Sequence, residues 1–235
     1  MRSKKLKVSI VMPNYNKESW IADSIRSVLD QTDRDFEFVI VDDGSTDGSR
    51  AVIDHFAALD TRIKKVYLKK NMGISVARNK GNAASTGDII VIHDSDDLML
   101  PHKIKAVRAF FNRYKLVDVF YSNYYHGRVS GEPFKMERFD EIDPYDCLYP
   151  KQLIGNITVA YRRRVWNKCK YSSKYKINDD YPFLISAWNA GFTFRHDPEP
   201  LCIMRLLSTG ASFKNKNKTD KEVEKLAKTI RKYGS

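Results

Sequence analysis

Apolar and polar positions alternate in blocks along the first hundred residues. Residues 7–12, Lys-Val-Ser-Ile-Val-Met, read as a strand and stop at the turn formers Pro13-Asn14-Tyr15-Asn16. Ile21, Ile25, Val28 and Leu29 then recur at helical spacing, which predicts a helix over about 19–31. The alternation repeats with a strand over 36–41, a turn-rich loop over 42–48 and a helix through Val52, Ile53, Phe56 and Leu59. A strand over about 63–68 and a helix through Val76, Ala77 and Ala83-Ala84 follow. Gly87 ends that helix, and Ile89-Ile90-Val91-Ile92-His93 reads as a fourth, buried strand. Strict alternation of strand and helix predicts a doubly wound, Rossmann-like α/β unit with a mostly parallel sheet. Ligands of such sheets bind beyond the carboxyl ends of the strands.

The second half is less regular. Strands are expected over 117–122, 156–161, 192–194 and 201–204, with a polar, aromatic stretch to about 149 and a basic turn at 162–164. An apolar helix through Phe183, Leu184, Ala187 and Trp188 starts behind Asn178-Asp179-Asp180 and ends at Gly191. No repeat, low-complexity tract or linker divides the chain, so 1–213 is expected to be one domain with a basic tail or helix over 214–235.

The formal net charge of +12 admits nucleic acid, an anionic membrane surface or phosphorylated ligands as partners. Part of the excess lies in Lys4, Lys5, Lys7 and the lysines of 214–232, where solvated tails explain it equally well. No nucleic-acid motif is present, so that partner is not expected. No apolar run reaches membrane-spanning length and the first residues lack a signal-peptide pattern, so a cytoplasmic location is expected. Cys147, Cys169 and Cys202 are scattered and odd in number, which argues against a disulfide framework or a structural zinc site.

The chemistry concentrates at strand ends. Asp94-Ser95-Asp96-Asp97 puts three carboxylates within four positions, a costly arrangement unless a cation offsets their repulsion. Hard oxygen ligands suit magnesium or manganese, which in turn hold phosphates. An acidic cap for a following helix is the alternative. The first strand is followed neither by Gly-x-Gly-x-x-Gly nor by a phosphate-loop motif. A nucleotide would then be gripped by side chains: an Asp accepting from a base N–H, a Tyr against the ring and an Arg near the phosphates. Asp43, Tyr15 and Arg78 supply those three types.

Val8 to Asn16, Val41-Asp-Asp-Gly-Ser-Thr-Asp47, Asn71 to Gly81 and Asp94-Ser-Asp-Asp97 together resemble glycosyltransferase family 2, in the family's motif order over about the first hundred residues. The resemblance implies the GT-A fold and an inverting, metal-dependent transfer from a nucleotide-sugar, expected to be a UDP-sugar, to a saccharide or glycolipid acceptor. It implies a nucleotide-sugar-binding half over 7–114 and an acceptor half over 115–213. By the same resemblance Pro13 and Tyr15 border the nucleobase, Asp43 hydrogen-bonds it and Arg78 contacts base or diphosphate. Asp94 and Asp96 would serve the ribose and a divalent cation (Mn2+ or Mg2+), with Asp97 a third candidate contact. Asp180 would be the general base, with Asp179 in the place of the commoner Glu. A departure follows at Arg205-Leu206-Leu207, where family members often carry Arg-x-His.

Two other classes compete. A nucleotidyltransferase shares a similar α/β half but needs a Gly-rich basic first loop, which Pro13-Asn14-Tyr15-Asn16 is not. A non-catalytic carbohydrate- or nucleotide-binding module would not need Asp94, Asp96 and Asp180 intact. Val223, Leu226, Ala227 and Ile230 form one helical stripe flanked by Lys221, Lys225, Lys228, Arg231 and Lys232, which suggests peripheral contact with an anionic membrane.

Overall fold

The computed structural model describes residues 5–138, 154–174 and 179–207. The first half runs β1 (Val8–Asn14), α1 (Glu18–Leu29), β2 (Phe36–Asp42), α2 (Ser49–Leu59), β3 (Ile63–Tyr67), α3 (Ile74–Ala84) and β4 (Ile89–Ile92). The predicted alternation is present throughout. Then come β5 (Leu98–Met99), α4 (Lys103–Arg113), β6 (Val119–Ser122), β7 (Tyr124–Gly127) and β8 (Pro133–Glu137). The chain closes with β9 (Ala160–Arg162), α5 (Arg163–Lys168), α6 (Asp180–Asn189), β10 (Phe194–Asp197) and β11 (Cys202–Arg205).

A seven-stranded sheet has the order β10-β6-β9-β4-β1-β2-β3. Neighbours are parallel except at β9, which runs antiparallel to both β4 and β6. A four-stranded sheet, β5-β11-β7-β8, stands beside it. The period of two sorts the core. Val8, Ile10 and Met12 of β1 face Ile21, Ile25 and Val28 of α1 and Ile104, Val107 and Phe111 of α4. Val11, Ile90 and Ile92 lie on the other face, with Tyr161, Phe183 and Leu184. There α3 approaches so closely that a Cβ at Gly81 would come within 2.4 Å of Val11 Cγ1.

The parallel register brings Asn14 beside Asp42, while Val11 pairs with Ile92. The turns after β1, β2 and β4 therefore open on one edge of the sheet. The site is built there.

Three expectations need correction, and one helix was missed. The strand expected over 156–161 is a 3-10 turn at Asn156–Thr158 followed by the short β9. Thr158 folds back on the Gly155 carbonyl through both its amide (2.9 Å) and its hydroxyl (2.7 Å), which takes that backbone off the ladder. The expected basic turn at 162–164 is the end of β9 and the start of α5, which buries Val165. The strand placed at 192–194 lies at Phe194–Asp197, because Gly191, at φ 81°, must first reverse the chain at the end of α6. Helix α4 was not anticipated, although Ile104, Val107 and Phe111 have its spacing. The stripe at 223–230 and Cys147 lie outside the described residues.

Candidate active site

Three loops are laced together by side chains. Asn16 takes φ 51°, a conformation Asn tolerates, and its Oδ1 accepts from the Thr46 amide at 2.8 Å. The Glu18 amide donates to Asp47 at 3.0 Å, and Glu18 in turn accepts from the Gly48 amide at 2.9 Å. The loop after β1 is thereby fixed to the loop after β2. Pro13 is buried in β1, whereas Tyr15 projects with 42% exposure.

Asp42 and Asp43 divide two tasks. Asp42 accepts from Arg50 Nε (2.6 Å), Asn14 Nδ2 (3.0 Å) and the Ser45 amide (3.1 Å). Burial opposes its charge, but bonds from Ser45, Arg50 and Asn14 hold its carboxyl below the usual range. Asp43 accepts from the Met72 and Gly73 amides, both at 2.8 Å, and so fixes the turn from which α3 rises. Gly44 makes that approach feasible: at φ 75° it lies so near 70–71 that a Cβ would sit 2.4 Å from the Lys70 carbonyl carbon.

Arg78, on the second turn of α3, is the hub. Its guanidinium donates to Asp94 Oδ1 at 3.0 Å and to Asp179 Oδ1, and lies 5.6 Å from the Tyr171 ring centre. Burial disfavours its charge, yet Asp179, then Asp94, Tyr171 and Asp180, push its pKa well above the ordinary value. Ser75, one helical turn earlier, donates to Asp179 Oδ2 at 3.3 Å. Asp179 and Asp180 are 2% and 8% exposed at the start of α6. The Tyr171 ring stacks on Phe183 of that helix at 4.2 Å. Arg78 thus joins the end of β4 to the start of α6, bringing Asp94, Asp179 and Asp180 to one place.

The three carboxylates after β4 differ sharply. Asp94 keeps Oδ2 beyond its bond to Arg78. Asp96 pairs with Lys17 at 2.5 Å, both side chains about a quarter exposed. Asp97 is buried and accepts the Arg205 amide at 2.9 Å, tying β11 to the end of β4. Burial, then Asp96 and Asp94, raise its pKa well above the carboxylate range. The Arg205 guanidinium reaches Asp23 on α1 at 3.0 Å. Leu207 is 5% exposed. His93 is buried against the Ser24 hydroxyl at 3.1 Å, and burial, with Lys103 and Arg205, depresses its pKa.

Among the described residues, no group of three or more His, Cys, Asp and Glu is placed to hold a metal ion. Asp94 and Asp96 carry hard oxygen donors, and the Lys17 ammonium on Asp96 marks a position where positive charge is favoured. That donor set fits Mg2+ or Mn2+ completed by diphosphate and water oxygens.

Over residues 9–192 the chain matches the family model described as glycosyl transferase family 2. The chain belongs to that family. It is 32% identical to TuaG of Bacillus subtilis, a glycosyltransferase assigned by name to teichuronic acid biosynthesis, over 87% of this chain and 81% of that relative. Among solved structures, Staphylococcus aureus TarS in complex with UDP-GlcNAc superposes with TM-score 0.77 at 21% identity. The mannosyltransferase PcManGT from Pyrobaculum calidifontis, in complex with GDP-Man and Mn2+, gives 0.74 at 19% identity. These alignments cover 96% and 97% of this chain but only 66% and 65% of those chains. The fold is GT-A and the chain is a glycosyltransferase. The resemblance drawn from four sequence motifs and the expected α/β architecture both hold.

Sequence reasoning missed Lys17, Ser75 and Tyr171. Lys17 directly follows the first motif, and a lysine beside a strand-end loop was the available signal. Ser75 and Tyr171 gave none, because only folding brings them to α6. No helix among the described residues is long and apolar enough to cross a membrane.

Proposed function

We propose that this glycosyltransferase moves a sugar, with inversion at the anomeric carbon, from a nucleotide-sugar to a saccharide or lipid-linked acceptor in surface polysaccharide synthesis. The Arg78 bridge between Asp94 and Asp179 carries the reading, because it couples the donor side of the cleft to the start of α6. Residues 7–114 bind the donor and 115–213 receive the acceptor. Pro13 and Tyr15 flank the base, Asp43 sets its recognition edge and Arg78 lies against base or diphosphate. A UDP-sugar is the first donor to test, since the TarS complexes contain UDP and UDP-GlcNAc. TuaG supports an envelope polysaccharide as the product class.

Asp180 accepts the proton of the attacking acceptor hydroxyl, a poor nucleophile until deprotonated. Asp179 keeps Arg78 charged and in position. Asp96 and Asp94 would hold a divalent cation, which neutralises charge on the departing diphosphate. The enzyme works at the cytoplasmic face of a membrane, where the lysines and arginine that flank the apolar stripe at 223–230 supply charge for anionic lipid. A screen of UDP- and GDP-sugars for nucleoside diphosphate release, with Mn2+ and with EDTA, tests the reading. Release from one donor that stops with EDTA and in Asp96→Asn supports it; release indifferent to both refutes the metal assignment.

A further inference from the structure

Lys17 stands out among the charges of the cleft. Its backbone is pinned: the amide donates to Ser49 Oγ at 3.0 Å, and the carbonyl accepts the Trp20 and Ile21 amides at 2.9 Å each. Its side chain spans from the start of α1 to the loop after β4 and ends on Asp96 Oδ2. Arg78, by contrast, is held by two carboxylates with its side chain only 4% exposed, and cannot leave without stranding them. The Lys17–Asp96 pair is part-exposed, and a lysine carries its charge on a flexible stem. Of these two cations, Arg78 is structural and Lys17 is exchangeable.

We propose that Lys17 is the counter-ion a divalent cation displaces from Asp96, and that the freed ammonium then pairs with the donor diphosphate. The inference rests on the reading of Asp96 as a metal ligand. Without donor, Lys17 occupies the charge the ion needs, so the ion binds weakly alone. With donor, the diphosphate offers the ammonium a new partner at the same strand end, and ion and nucleotide bind together. The lysine thus couples metal entry to donor entry.

The test is direct binding to the full chain: Mn2+ alone by electron paramagnetic resonance, and UDP in saturating Mn2+ by calorimetry. Lys17→Met is expected to bind Mn2+ alone about threefold to fivefold tighter, the scale of a released part-exposed ion pair. It is expected to bind UDP about tenfold more weakly, and Lys17→Arg to stay within about threefold of wild type in both measurements. Thermal melts confirm that each variant is folded. If Asp96→Asn abolishes Mn2+ binding but Lys17→Met binds Mn2+ no tighter, or UDP no more weakly, the proposal is overturned while the metal site stands. If Asp96→Asn leaves Mn2+ binding intact, the metal assignment falls and the proposal with it.

Discussion

Arg78 and Asp179, 101 positions apart in the chain, form an ion pair with side chains 4% and 3% exposed. Such a pair is a weak source of net stability but costly to break from one side, about 3–5 kcal/mol, because the remaining charge is stranded. Arg78→Met is expected to lose that much in urea denaturation, since it strands Asp94 as well as Asp179. Asp179→Asn is expected to lose less, because Asp94 still faces the arginine. The double variant should be less destabilised than the sum of the singles, a coupling of about 1–3 kcal/mol. Additive losses would mean the pair contributes nothing as a unit.

Gly44 sits at φ 75° with the backbone of 70–71 against it. Gly44→Ala adds both left-handed strain and a collision with backbone, so a loss of about 1–3 kcal/mol is expected. Because Asp43 fixes the amides of Met72 and Gly73 next door, nucleotide affinity should fall with it. Gly191→Ala, also at positive φ (81°) but with open space around its Cβ, should cost stability alone.

The first half was legible because its signals are local. Each strand of the parallel sheet is a short β-branched run, each helix has its own spacing, and each motif falls on a turn between them. The second half depends on long-range pairing. The strand expected over 156–161 is confined to Ala160–Arg162 because only those residues enter the slot between β4 and β6, a limit that local periodicity does not carry. The site divides the same way. Asp43, Asp94 and Asp96 stand at strand ends that any pass along the chain finds. The pairing of Lys17 with Asp96 and the stacking of Tyr171 against Phe183 arise from tertiary contact alone.

Asp42 makes acid stability testable. Its folded carboxyl titrates below the ordinary value of 3.8, so the folded state releases that proton more readily than the unfolded chain. The stability it supplies is fully present well above pH 3.8, and is lost as pH falls through the depressed folded value. Urea midpoints should therefore fall between pH 6 and pH 3. In Asp42→Asn the protein should be weaker at pH 6, yet lose less over the same interval. A parallel offset at every pH would show that Asp42 titrates alike in both states.

Asp179 and Asp180 are neighbours at one helix start, so kinetics must separate them. Asp179 is tied to Arg78 and Ser75, and its loss should act through the guanidinium that also holds Asp94. Asp179→Asn is therefore expected to weaken donor binding, raising the donor KM with a smaller effect on kcat. Asp180, proposed as the base, would act only as the hydroxyl attacks. Asp180→Asn should bind donor within about twofold of wild type and lose kcat by about two to four orders of magnitude, the usual contribution of a positioned base. The pH profile adds a second criterion: the acidic limb of kcat should disappear in Asp180→Asn and persist in Asp179→Asn. If the large kcat loss and the vanished limb belong instead to Asp179→Asn, the base is Asp179, and Arg78 serves to orient it.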